Sequence, residues 1–182
     1  MSDVPQIKHF TTHLILTIGI PCSGKTEWVK RMKEKFSMVQ VVSIDEIMRE
    51  KKIDKDEAFA TALTRVKELM DPIANADKYH GVGPMIIVDG PFTLWEDWVD
   101  YQHLHPTFFT AMLFDITPEQ ALLRQELYAS ERHGKVSKEE IQIEYNNLKL
   151  SKKFLFLIFS RVISHYGEVD PFLNTFTSFI PC

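Results

Sequence analysis

Gly19, Ile20, Pro21, Cys22, Ser23, Gly24, Lys25 and Thr26 fit the pattern G-x-x-x-x-G-K-[ST]. Residues of these types at this spacing bind phosphate. The two glycines let the backbone approach an anion and adopt positive φ. Successive N–H groups then converge on one concavity, and a helix starting there adds its positive end. Lys25 is placed to reach the β- and γ-phosphates of a nucleotide, and the Thr26 hydroxyl to ligate Mg²⁺. ATP and Mg²⁺ are the expected ligands.

Three further groups complete a phosphoryl-transfer set. Asp89 ends the run Met85-Ile-Ile-Val-Asp89, where a carboxylate can hold Mg²⁺ directly or through water. Asp45 follows Val41-Val-Ser-Ile and brings a second carboxylate to the same side, as a base for an acceptor hydroxyl. Arg124 and Arg132 are the candidates for cations closing over the phosphoryl group, with Arg132 beside Gly134 in a turn between two helices. The segment from Arg124 to Arg161 carries eight Lys and Arg against five Glu, leaving thirteen against twenty elsewhere. That asymmetry favours anion handling there.

Positioning these groups requires strands that alternate with helices. His13–Ile18, Val39–Ser43, Met85–Asp89 and Phe108–Asp115 read as short buried strands. Helices are expected over Thr26–Lys35, from Asp45, over Asp56–Met70 and over Leu94–Gln102. Another starts at Thr117-Pro118, and Ser137-Lys-Glu-Glu140 is a capping box opening a helix that runs through Phe159. The pattern predicts one α/β domain over residues 1–182. The phosphate loop and the transfer set make a three-layer P-loop kinase fold the expectation, with a parallel sheet of four or five strands, helices on both faces and a small helical lid at about 124–137. Residues 138–182 form a C-terminal helix and a Phe-rich tail, and Phe172, Phe176 and Phe179 are expected to pack back on the body.

The order of motifs resembles that of phage and bacterial polynucleotide 5′-hydroxyl kinases, whose phosphate loop reads G-x-P-G-S-G-K-[ST]. The resemblance covers roughly residues 13–150 and rests on four stretches. They are Leu14 to Thr26, Ser43-Ile-Asp45-Glu46, Met85 to Asp89, and Glu131-Arg132-His-Gly-Lys-Val136-Ser137. It implies transfer of the ATP γ-phosphate to a 5′-hydroxyl end of DNA or RNA, with Asp45 as general base. Related phage kinases phosphorylate hydroxymethyluracil within DNA. Two positions depart from the family. Cys22 stands where the loop has its second glycine. Met48 stands where an arginine holds the acceptor's phosphate, and Arg49 comes one residue later, about 100° round a helix.

Composition sets the alternatives. The 182 residues carry 45% hydrophobic and 25% charged side chains and a net charge of −4, which excludes a disordered chain and a globally basic coat protein. No N-K-x-D tetrapeptide for reading guanine is found. A kinase for a nucleoside, nucleotide or other small metabolite would share every catalytic residue, and a non-catalytic nucleotide-binding module is a third reading. Phe92, in the loop after Asp89, is a candidate platform for stacking an acceptor base, and Arg49 is a second candidate acceptor contact. Trp95 and Trp98 read as core. His103 and His105 lack the companions of a metal site. Phe154–Phe159, apolar all round, is expected to be buried. Cys22 and Cys182 are not expected to pair, and with no secretory leader or bilayer-spanning run the reading is a cytoplasmic chain.

Overall fold

The computed structural model describes residues 11–75, 83–127 and 136–165. Five parallel strands run β1 (His13–Ile18), β2 (Val39–Ser43), β3 (Met85–Phe92), β4 (Phe108–Phe114) and β5 (Arg161–His165), in the order β2-β3-β1-β4-β5. The helices are α1 (Lys25–Lys35), α2 (Ile44–Lys51), α3 (Lys55–Met70), α4 (Pro72–Asn75), α5 (Trp95–Gln102), α6 (Pro118–Leu127), α7 (Lys138–Ser151) and α8 (Leu155–Ile158). The α/β class and the parallel sheet agree with the expectation from sequence.

β1 lies at the centre because both of its faces are apolar. Leu14, Leu16 and Ile18 join one buried cluster with residues of α2, α3, α5 and α7. Ile15 joins the other, with Trp28, Val29 and Met32 of α1. The period of two thus divides one strand between two cores. Side chains fix where the helices start. Ser43 Oγ accepts from Glu46 N (3.3 Å) and Asp54 Oδ1 from Glu57 N (2.9 Å). Thr117 and Gln120 cap each other's backbone N–H groups, so α6 opens with a reciprocal box behind Pro118.

The structure corrects four expectations. β3 runs on to Phe92, past the predicted end at Asp89. β5 was not singled out in the sequence. The helix opened by Ser137 stops at Ser151, and a 3₁₀ turn (Lys152–Phe154) leads to the short α8. Only part of the Phe154–Phe159 run is buried: Leu155, Ile158 and Phe159 are, while Phe156 and Leu157 are 81% and 74% exposed. The break at Ser151 turns a different face to the core. Trp98 is fully buried and stacks near Phe159, so the core reading of that tryptophan holds. The Phe-rich tail lies outside the described residues.

Tyr101 is packed against Phe92 with 1% exposure, and its hydroxyl has no hydrogen-bond partner among the described residues. A buried hydroxyl without a partner costs about 1–3 kcal/mol of desolvation. Tyr101→Phe is therefore expected to leave stability unchanged or raise it by about 1 kcal/mol. Urea denaturation checks this, and a loss of comparable size would mean that the hydroxyl is satisfied.

Candidate phosphate-binding and phosphoryl-transfer site

The chain leaves β1 into the phosphate loop and enters α1 at Lys25, at the carboxyl edge of the sheet where ligands bind in such folds. Gly19 has φ 157° and Gly24 φ 100°. A Cβ on Gly19 would stand 2.8 Å from the Phe114 carbonyl and 2.9 Å from Ser23 Oγ, so the first glycine is required by space. Ser23 Oγ is buried and has no partner among the described residues. An orphaned hydroxyl inside a loop built of N–H groups fits a phosphate ligand. Cys22 takes φ 65°, in the left-handed region that favours glycine, and it stands where the resembled phosphate loop has its second glycine. Its Sγ lies 3.8 Å from Gln125 Oε1.

Lys25 folds over the loop, donating to the carbonyls of Gly19 (2.6 Å) and Ile20 (2.9 Å). Desolvation lowers its pKa, opposed by the charges of Asp89, Asp45, Cys22 and Glu144. Asp89 is 5% exposed, and burial raises its pKa. Lys25 and two hydroxyls oppose that shift: Thr26 Oγ1 donates to Oδ2 (2.9 Å) and Thr17 Oγ1 to Oδ1 (3.0 Å). Thr26 and Asp89, predicted from different parts of the sequence, therefore meet. Among the described residues no three His, Cys, Asp or Glu side chains cluster to hold a metal. A Mg²⁺ here would be held by Thr26, Asp89 and phosphate oxygens, an oxygen set suited to that ion.

Arg124, a sequence candidate for a cation over the phosphates, reaches the loop from α6. Its Nη1 donates to the Ser23 carbonyl (2.7 Å) and lies 3.5 Å from where a Cβ on Gly24 would be. Its neighbour Gln125 was missed in the sequence. Gln125 Nε2 donates to the Val136 carbonyl (3.0 Å), and Val136 N donates to Gln125 Oε1 (2.8 Å). One amide thus ties the end of α6 both to the approach to α7 and to the thiol of the loop. Nothing in the spacing of a lone glutamine signals such a bridge. Arg132 and the rest of the expected lid turn lie outside the described residues.

At the carboxyl end of β2, Asp45 is exposed on the first turn of α2, and its charge acts on Lys25 and Asp89. Arg49 is exposed on the same helix, while Met48 packs against the core. Phe92 is a correction: it is fully buried between Phe59 and Tyr101, at ring-centroid distances of 5.4 and 5.5 Å, and cannot stack a base there. The extension of β3 points its ring into the core. The other residue missed is Glu144 on α7, which accepts a hydrogen bond from the Thr93 hydroxyl.

A loop, a lysine, a threonine and a buried acid arranged in this order define the P-loop kinase-like class. The chain belongs to the AAA domain family, whose model matches residues 14–145. Membership implies nucleotide binding, typically with Mg²⁺. No curated protein matches the sequence. Among solved structures, the chain is similar to one in the Pnkp1/Rnl/Hen1 RNA repair complex, at 16% identity and TM-score 0.63, covering 84% of this chain and 48% of that one. It thus spans about half the length of that relative. A protein of Chloroflexus aurantiacus with a provisional kinase assignment is 15% identical, at TM-score 0.59, covering 93% and 94%. Shikimate kinase from Acinetobacter baumannii, in complex with shikimate, is 13% identical at TM-score 0.50, covering 89% and 87%. At these identities the likeness is one of fold. No helix among the described residues is long and apolar enough to cross a membrane.

Burial pushes the Asp97 carboxyl up to about 6; Lys55 opposes the shift, while Glu96, Glu144 and Asp100 add to it. A carboxyl whose pKa is raised by folding stabilises the protein fully below the unfolded value near 3.8, and that stabilisation is lost as pH rises through about 6. Asp97→Asn should therefore be more stable than the parent at pH 7, by about 1 kcal/mol once solvent screening of this half-buried group is counted. The difference should vanish as pH falls to 4, which denaturation at a series of pH values will show.

Proposed function

We propose that this protein is an ATP-dependent kinase that transfers the γ-phosphate to an alcohol hydroxyl, with Asp45 as general base. The observation that carries this is the convergence on one sheet edge of the loop lysine, the Thr26–Asp89 pair and the exposed Asp45 carboxylate, whose charge reaches Lys25.

In the proposed reaction the acceptor oxygen attacks the γ-phosphorus in line. The new O–P bond forms as the bond to the bridging oxygen of ADP breaks, ADP leaves with that electron pair, and the acceptor's proton passes to Asp45. Lys25 leaves the carbonyls of Gly19 and Ile20 for the phosphate oxygens and offsets their charge. Arg124, fixed on the loop backbone, is the second cation; Arg132 is proposed as a third. Mg²⁺, when bound, supplies charge neutralisation of the β- and γ-oxygens. Ser23 and the loop N–H groups hold the phosphates.

Two acceptor classes have support. The motif order, and the fold likeness to the structure in the RNA repair complex, support a nucleic-acid hydroxyl, either a 5′ end or a hydroxymethyl base. The fold likeness to shikimate kinase and the acidic character of the acceptor side support a small molecule.

Lys25→Ala is expected to abolish both ATP binding and transfer. Asp45→Asn should bind ATP within about twofold of the parent and lose about 10²–10⁴ in transfer rate. Calorimetry with Mg²⁺-ATP and label transfer from γ-labelled ATP measure the two. Parental transfer by Asp45→Asn would sink the base assignment.

A further inference from the structure

α7 presses one face against the turn that leaves β3. Ile141, Leu148 and Ser151 are buried, and Glu144 shares their face by three-, four- and seven-residue spacing. Two hydrogen bonds fasten this face to the turn. Trp95 N donates to Ser151 Oγ (3.1 Å), and the Thr93 hydroxyl, on a residue 2% exposed, donates to Glu144 Oε2. β1 and β3 change register between Leu16 and Ile18, so that Leu16 faces Val88 but Ile18 faces Phe92. Thr93 and Gly19, the next residue on each strand, therefore leave the sheet at one level. The Lys25 ammonium is bound at the Gly19 carbonyl. Glu144 is thus tied to the turn that leaves the sheet beside the start of the phosphate loop, and its charge acts on both Lys25 and Asp97.

Neither the metal pair nor the base requires this carboxylate. Facing the γ-phosphate it would repel it, so the reactant it can serve is the acceptor. We propose that Glu144, oriented by Thr93, is a specificity-determining residue that accepts a hydrogen bond from a second hydroxyl or an ammonium of the acceptor. The acceptor class is then a neutral or cationic polyol or amino alcohol, with no phosphate near the reacting hydroxyl. The exposed Asp45 carboxylate, whose charge reaches Lys25, acts in the same sense, and Met48, packed against the core, stands where the kinases this sequence resembles hold the acceptor's phosphate with an arginine. This inference rests on the kinase reading above.

The test uses the full chain with Mg²⁺-ATP and γ-label. Three acceptors carry hydroxyls on different charges: a 5′-hydroxyl oligothymidylate, thymidine and glucosamine. Calorimetry comes first: a parent that does not bind ATP fails the kinase reading itself, whatever Glu144 does. Glu144→Gln keeps an acceptor for the Thr93 hydroxyl and so tests charge with the fold intact; a thermal melt confirms the fold. The parent is expected to label thymidine or glucosamine with a higher kcat/KM than the oligonucleotide. Glu144→Gln should shrink that preference at least tenfold, and Glu144→Lys should shrink it further, while ATP affinity stays within twofold in Glu144→Gln. Preference of the parent for the oligonucleotide overturns the proposal. So does a preference unmoved in Glu144→Gln, or label on none of the three acceptors.

Discussion

A carboxylate taken out of water must find partners or lose its charge, and the edge of this sheet is organised around one such group. Asp89 is almost completely buried between β1 and the start of α1. One of its oxygens takes the Thr17 hydroxyl and the other the Thr26 hydroxyl. Those two bonds join β3, β1 and α1 at the point where the phosphate loop must hold its shape. Leaving either oxygen unsatisfied would cost on the order of 1–3 kcal/mol, a large part of a domain's net stability. The acid that can hold a metal is thus also the tie that sets the first turn of α1 under the loop.

The phosphate loop is braced from the other side by α6. Consecutive side chains reach it: Arg124 on the Ser23 carbonyl and Gln125 on the Cys22 thiol. Cys22 in the left-handed region costs about 1 kcal/mol relative to glycine. The thiol gains contact with Gln125, and Gln125 in turn holds Val136 by both backbone groups. The departure from the glycine of the family pattern thereby has a structural counterpart. It links the loop to the segment that carries the expected lid cations.

Much of this was readable because it is local. Gly19 and Gly24 ahead of a lysine at the end of an apolar run name their own geometry, and Thr117 and Ser137 announce helix starts through rules that span four residues. Asp45 and Asp89 could be placed at one edge because parallel strands deliver their carboxyl ends together. What escaped depends on contacts between distant residues. Glu144 meets Thr93 across fifty-one positions, and Gln125 bridges two elements through an amide with no pattern of its own. Phe92 was misplaced because the alternation that turns it inward depends on β3 continuing beyond Gly90-Pro91, which themselves read as a stop. β5 follows a helix break at Ser151 that no glycine or proline marks.

Charge is the property in which the sequence and the fold differ most instructively. The excess of Lys and Arg between Arg124 and Arg161 looks, along the chain, like one anion-binding stretch. In space α6 and α7 divide it. Arg124 goes to the phosphate loop, and Lys152 pairs with Asp115 at 2.5 Å near the end of β4. Glu144, one of the few acids in that stretch, is the residue fastened to the turn after β3. One cation of this stretch thus braces the phosphate loop, while one of its acids is tied to the turn after β3. Two substrates that must meet can be sorted by such a division. In the kinase proposed above, the nucleotide's phosphates would meet the loop and its arginine, and an acceptor without phosphate would meet the glutamate. A local sum of charges along the chain cannot express this, because the helical period assigns neighbouring residues to opposite faces.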